Sequence, residues 1–161
     1  MKRAIPVGWQ RDVPDVIRAH DTIDKPDYAD LFTAVACGDT DVSPERWARA
    51  MFEHAPRGRV RLVLVAAVLA QRRILGLRLE SRRSPDHLLG WRIAAAGENW
   101  IRLEAESALL TGHLVLQRDG RKLHLATFVR YHRRLATLIW PPVSLLHRRV
   151  GIVLMRHAAM V

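Results

Sequence analysis

A period-two alternation of apolar and polar residues dominates the second half of the chain. It runs through four segments: Trp91 to Ala95, Ile101 to Glu106, Leu109 to Gln117 and Leu123 to His132. Such alternation is typical of strands that place one face on a core. Asp119-Gly120, between the last two segments, favours a tight hairpin. The pattern therefore predicts a four-stranded antiparallel meander.

Helical signals lie on both sides of this meander. Ser43-Pro44-Glu45 predicts a helix start, because serine accepts from free N–H groups, proline suits the first position and glutamate complements the dipole. Pro56 and Gly58 are expected to end this helix. The apolar segment 59–75 is long enough to favour a second, buried helix. Residues 133–161 predict a C-terminal helix that breaks at Pro141-Pro142.

The first 26 residues show no clean period and contain three prolines. They predict an extended N-terminal arm, residues 1–26, laid over a single domain, residues 27–161. A strand-like pattern opens that domain. The full order predicts an α+β fold in which a curved antiparallel sheet wraps around a long C-terminal helix. A concave sheet and a convex helix do not mate completely, so we expect a cavity between them.

Composition sets limits on the class of protein. A chain of 161 residues with 49% hydrophobic residues is the size of one domain and supplies a core, which excludes a disordered chain. The single cysteine, Cys37, excludes an internal disulfide and the usual structural zinc cages. No signal-peptide pattern is seen, and the longest apolar run, Leu62 to Ala70, is nine residues. We expect a cytoplasmic bacterial protein.

Positive charge is concentrated in the middle of the chain. The net charge is +10, and residues 57–83 contain eight arginines and one glutamate. A basic surface raises the affinity for nucleic acid or for anionic lipid. Few aromatic residues lie among the arginines, and no groove-reading motif is present. Binding of nucleic acid or of an anionic membrane is therefore the alternative to binding of a small molecule.

Chemical motifs are sparse. No glycine-rich phosphate loop and no HExxH sequence occurs, so neither a nucleotide cofactor nor a metal is predicted. Ser144 lies three residues before His147, but outside any nucleophile elbow. Glu104 and Glu106 share one strand face, which is expected to point to solvent. The sequence contains no constellation that identifies an enzyme.

Several short motifs occur in an order that resembles the START-like, helix-grip superfamily, also called SRPBCC or Bet v 1-like. The match spans roughly residues 27–158 and is similar to a group of bacterial proteins without a settled activity. The motifs are Asp27-Tyr28-Ala29-Asp30 with Phe32, Ser43-Pro44-Glu45-Arg46-Trp47-Ala48-Arg49, Thr127 with Tyr131, Leu138-Ile139-Trp140, and His147-Arg148. The resemblance implies binding of a small hydrophobic or amphipathic ligand: a lipid, a sterol or a polyketide-like molecule.

The expected ligand site lies between the sheet and the last helix. We predict walls formed by Trp91, Ile93, Leu103, Leu114, Thr127, Tyr131 and Trp140, with His147 and Arg148 meeting a polar or anionic group. Two alternatives stay open for His147. It serves as an acid or base in polyketide-cyclase-like chemistry, or it only ties the helix to the N-terminal arm. A homodimer is also left open.

Overall fold

The computed structural model describes residues 5–38, 41–53, 58–80 and 84–160, which form an α+β fold. The strands are β1 Gly8–Gln10, β2 Tyr28–Val35, β3 His87–Leu88, β4 Trp91–Ala96, β5 Trp100–Glu106, β6 Leu110–Asp119 and β7 Lys122–Tyr131. The helices are α1 Asp15–Arg18, α2 Pro44–Phe52, α3 Arg59–Arg73 and α4 Ala136–Ala158. The predicted end of α2 at Pro56 lies outside the described residues.

All strands in the described residues belong to one curved antiparallel sheet with the order β1-β2-β7-β6-β5-β4-β3. Strands β4 to β7 form the predicted meander. The hairpin prediction is confirmed, because Asp119 pairs with Lys122 and Gly120 adopts a φ of +55°. Strand β2 pairs with β7, so a segment from the beginning of the chain extends the far edge of the meander.

Helices cover the inner face of this sheet. Helix α4 lies across β2 and β7, while α2 reaches β5, β6 and β3. The start of α2 is as predicted, because the Ser43 hydroxyl accepts a 3.3 Å hydrogen bond from the Arg46 amide. Gly151 of α4 faces Phe32 of β2 so closely that any β-carbon at this position would overlap the ring. This glycine sets how near α4 approaches the sheet.

Helix α4 runs without interruption through Pro141 and Pro142, so the predicted break is wrong. The two prolines lie in the second turn, and their missing amides deprive only the carbonyls of Thr137 and Leu138 of helical partners. Both of these residues are exposed, so water can bind the carbonyls. None of the described helices is long and apolar enough to cross a bilayer.

The helix predicted over residues 59–75 forms over Arg59–Arg73, but the expectation that it is buried is wrong. Of its described side chains only Leu64 is buried, while Leu62 is 70% exposed and Leu69 is 52% exposed. The helix packs mainly against α4. A continuous apolar sequence gave no indication that one side of this helix faces outward.

A second, smaller core lies on the outer face of the sheet. Val13 and Ile17, from the residues before β2, pack there against Leu31, Val115 and Phe128. The residues between β1 and β2 therefore cover part of the outer face.

Polar side chains continue this outer contact. Nδ1 of His113 lies 2.6 Å from Oδ1 of Asp21, and Arg102 donates a 2.8 Å hydrogen bond to the carbonyl of His20. The expectation that Glu104 points freely to solvent is wrong, because its side chain is 19% exposed and pairs with Arg102 and Arg92. The residues around His20 and Asp21 therefore lie over this part of the outer face.

Candidate functional site

An apolar cavity of about 70 Å³ lies between the inner face of the sheet and the helices. Its lining includes six of the nine predicted site residues: Trp91, Leu103, Leu114, Thr127, Trp140 and His147. The strand residues among them point inward on the period-two face, and the α4 residues lie on its sheet-facing side. Six of the residues proposed from the sequence therefore lie around one cavity.

The other three predicted residues lie outside the lining. Ile93 packs against the core next to an irregularity in β4, and Tyr131 lies at the end of β7, where it pairs with Leu110. Arg148 points towards the N-terminal arm, with its guanidinium 3.6 Å from the centre of the Trp9 ring. Consecutive helix residues differ by about 100°, so the side chain of Arg148 leaves α4 in a different direction from that of His147.

Helix α3 supplies a wall that the sequence analysis did not assign. Leu64, Ala67 and Gln71 line the cavity, and the Trp91 indole donates a 3.3 Å hydrogen bond to Oε1 of Gln71. Their spacing of three and then four residues puts them on one helix face. That spacing was visible in the sequence, but the surrounding apolar residues concealed which face points inward.

The cavity has one polar end. Nε2 of His147 lies 3.0 Å from Oγ1 of Thr127 and 3.5 Å from Oδ2 of Asp30, a side chain with no exposed surface. Asp30 and Thr127 are direct neighbours across β2 and β7, so their side chains emerge on the same face. Helix α4 brings the imidazole to this pair.

A single oxygen of Asp30 accepts hydrogen bonds from more than one donor. Oδ2 accepts a 2.6 Å hydrogen bond from the Tyr28 hydroxyl and a 3.1 Å bond from the Trp9 indole. Burial by itself raises the pKa of Asp30, but hydrogen bonds from His147, Tyr28 and Trp9 and the charge of His147 outweigh it and lower the pKa. Burial and the neighbouring Asp30 raise the pKa of Tyr28. At neutral pH the site therefore holds a carboxylate and a protonated phenol.

This arrangement determines what the imidazole can do. An ionised Asp30 only accepts hydrogen bonds, so it favours the His147 tautomer that carries a proton on Nε2. Nδ1 can then accept a hydrogen bond from a ligand hydroxyl when the ring is neutral, and donate one to a ligand carboxylate when the ring is protonated. The rings of Phe32 and Trp140, with centroids 5.6 Å and 5.9 Å from that of His147, hold the imidazole in place.

Two further polar atoms are buried near this end. The Trp140 indole N–H and Oδ1 of Asp30 have no hydrogen-bond partner among the described residues. A buried polar group without a partner costs about 1–3 kcal/mol. A ligand with a polar group could remove part of this cost at Trp140, which lines the cavity.

No functional role for Asp30 is predicted from the sequence, although a signal is present there. Tyr28, Asp30, Phe32 and Ala34 share the inward face of β2, so a carboxylate stands where the alternation calls for an apolar residue. The contribution of Trp9 had no such signal, since it depends on β1 joining the sheet edge beside β2.

No protein-family model matches this chain, and no curated protein matches it. Within the described residues, no group of three His, Cys, Asp or Glu side chains is placed to hold a metal ion. The cavity and its polar end are therefore the features of the molecule that bear on its function.

Proposed function

We propose that the protein binds a small hydrophobic or amphipathic molecule in the cavity between the sheet and α4. The observation that carries this proposal is the cluster of Thr127, His147 and Asp30 at one end of a largely apolar space. The apolar body of the ligand lies against side chains such as Leu103 and Trp140. Its polar group bonds to His147 and Thr127.

A START-like, helix-grip assignment is part of this proposal. A curved antiparallel sheet, a C-terminal helix against it and a cavity between the two support it. The ligands that this resemblance implies are lipids, sterols and polyketide-like molecules. These have the combination of a long apolar body and few polar groups that the cavity requires.

Displacement of α3 would admit a ligand that is larger than the cavity. This helix packs mainly on α4, and its other sides are largely exposed. An element with few contacts opens at a lower free energy than the core of the fold. Movement of α3 would enlarge the cavity at Leu64, Ala67 and Gln71, without disturbing the strands.

Two neighbouring alanines on α3 allow a matched test of the cavity. Ala67 lines it, whereas Ala66 is exposed on the other side of the helix. Decanoic acid, an amphipathic probe, is titrated calorimetrically into Ala67→Phe and Ala66→Phe. Ala67→Phe fills the cavity and abolishes binding, whereas Ala66→Phe binds like the wild type. Equal binding by the two variants would refute the proposal.

The polar end has its own matched pair. His147→Gln removes the imidazole from the cavity, while Arg148→Gln changes a side chain that stacks on Trp9 instead. Loss of a hydrogen bond to a charged ligand group costs about 1.5–3 kcal/mol, so we expect His147→Gln to weaken decanoic acid binding about tenfold or more. Arg148→Gln should have little effect. If Arg148→Gln weakened binding more than His147→Gln, the ligand's polar group would be assigned to Arg148 instead.

A further inference from the structure

The outward side of α3 carries an apolar stripe formed by Leu62, Val65, Ala66 and Leu69. These positions follow the spacing of one helix face, and all four are exposed, Leu62 by 70% and Leu69 by 52%. The stripe lies on the side of the helix opposite Leu64, which lines the cavity. A continuous exposed apolar face of this kind marks a surface that binds something.

Positive charge surrounds this stripe. Arg61, Arg72 and Arg73 are exposed on the same helix, and α3 contains no acidic residue. Helix α4, on which α3 packs, has none either, since Asp119 is the last acidic residue of the chain. The stripe thus combines apolar side chains with arginines, and no acidic side chain of α3 or α4 offsets them.

We propose that α3 docks on the surface of an anionic phospholipid membrane. The stripe enters the boundary between headgroups and acyl chains, and Arg61, Arg72 and Arg73 bind lipid phosphates. Arginine suits this role because its planar guanidinium forms paired hydrogen bonds with phosphate. The proposal stands independently of the ligand, because it uses the side of α3 that faces away from the cavity.

Other occupants fit this surface less well. A second copy in a two-fold dimer would bring the same arginines face to face, and like charges repel. Nucleic acid would satisfy the arginines but leave the leucines without an apolar partner. An anionic bilayer supplies both the apolar layer and the phosphates.

Flotation with lipid vesicles tests the apolar part of the surface. The full chain is mixed with vesicles of equal parts phosphatidylglycerol and phosphatidylcholine, or of phosphatidylcholine alone. We expect binding to the anionic vesicles only, weakened by salt. Leu62→Ser with Leu69→Ser should reduce binding by at least about tenfold, since each leucine contributes apolar burial. Val16→Ser is the control, since Val16 is 64% exposed on α1, next to the outer-face core residue Ile17.

A second pair of variants tests the charges. Arg61→Gln with Arg73→Gln should weaken vesicle binding about thirtyfold, because each arginine near an anionic surface contributes about 1 kcal/mol. Arg130→Gln on the outer face of β7 is the control, and we expect little change. All these side chains are exposed, so the variants should fold, as urea unfolding will show.

The proposal is overturned if anionic vesicles do not bind the wild type, or if the α3 variants bind as well as their controls. It is also overturned if sedimentation shows a dimer that the leucine variants abolish while vesicles are not bound. Titration with decanoic acid distinguishes failure of membrane docking from failure of ligand binding in the cavity. The leucine variants retain the cavity and should bind decanoic acid normally, whereas Ala67→Phe should still bind vesicles.

Discussion

Nε2 of His147 lies 3.0 Å from Oγ1 of Thr127, although twenty residues separate them along the chain. The contact joins α4 to β7, and Asp30 joins the same nitrogen to β2 at 3.5 Å. A single imidazole thus ties the C-terminal helix to the two strands that bring together the beginning and the end of the chain. The polar end of the cavity therefore also holds α4 against the sheet.

Asp30→Asn tests what the charge of Asp30 contributes to this contact between α4 and the sheet. We expect the free energy of unfolding at neutral pH to fall by about 2 kcal/mol, because the hydrogen bonds to a carboxylate become bonds to a neutral amide. Urea unfolding measures the loss. Asp24→Asn, at an exposed acidic residue, is the control and should change stability by less than about 0.5 kcal/mol.

The effect of Asp30→Asn should depend on pH. Because the pKa of Asp30 is lowered in the folded protein, the unfolded chain takes up the proton first as the pH falls. The stability that Asp30 provides is complete above about pH 4 and is lost as the pH falls through the folded-state pKa. The gap between wild type and variant should therefore shrink in acid. A constant gap would contradict the role given to the charge.

Gly151→Ala tests the close approach of α4 to Phe32. In an ordinary helix this substitution stabilises by about 1 kcal/mol. Here the new methyl group overlaps a buried ring, and overpacking of this kind costs about 1–3 kcal/mol. We expect the free energy of unfolding, measured in urea, to fall. The fall should be smaller when Gly151→Ala is introduced into a Phe32→Leu background. A variant more stable than the wild type would contradict the packing described.

Ile17→Ala tests whether the outer-face core belongs to the fold. Ile17 is 2% exposed there, and truncation of a buried isoleucine costs about 2–5 kcal/mol. Val16 next to it is 64% exposed, so Val16→Ala should cost less than about 0.5 kcal/mol. Thermal unfolding of the two variants measures the difference. Similar melting temperatures would mean that α1 contributes nothing to stability.

A half-buried histidine makes stability depend on pH near neutrality. Burial lowers the pKa of His124; the charge of Asp119 raises that pKa by a smaller amount, and the charge of Lys122 lowers it further. The unfolded chain therefore binds the proton first, and stability falls as the pH drops below about 6.5. We expect Tm to fall less between about pH 7.5 and pH 5.5 in His124→Gln than in the wild type. The slope does not vanish, since burial also lowers the pKa of His157. An unchanged slope would contradict this reading of His124.

The strands and the hairpin could be predicted because they leave local signals. Alternation along Leu123 to Tyr131 and the Asp119-Gly120 pair depend on neighbouring residues alone. Pairing of β2 with β7 joins residues about a hundred positions apart, for example Tyr28 with Val129, and no local pattern indicates it. The predicted break at the prolines of α4 was wrong for a related reason. Their effect depends on whether Thr137 and Leu138 reach water, which only the folded chain decides.

The candidate site was predictable where side chains follow the strand period. Leu103, Leu114 and Thr127 belong to that group. Arg148 was assigned by its place beside His147, and the helical twist turns it to Trp9 instead. Asp30 went without a role because a buried carboxylate becomes acceptable only when donors from other elements converge on it.

A crystal structure of the protein with decanoic acid tests the central claim most directly. We expect density for the acyl chain of decanoic acid between the sheet and α4, with its carboxyl group within hydrogen-bond distance of His147 or Thr127 and with α3 displaced to make room. Density elsewhere on the molecule, with the cavity closed by its own side chains, would contradict it.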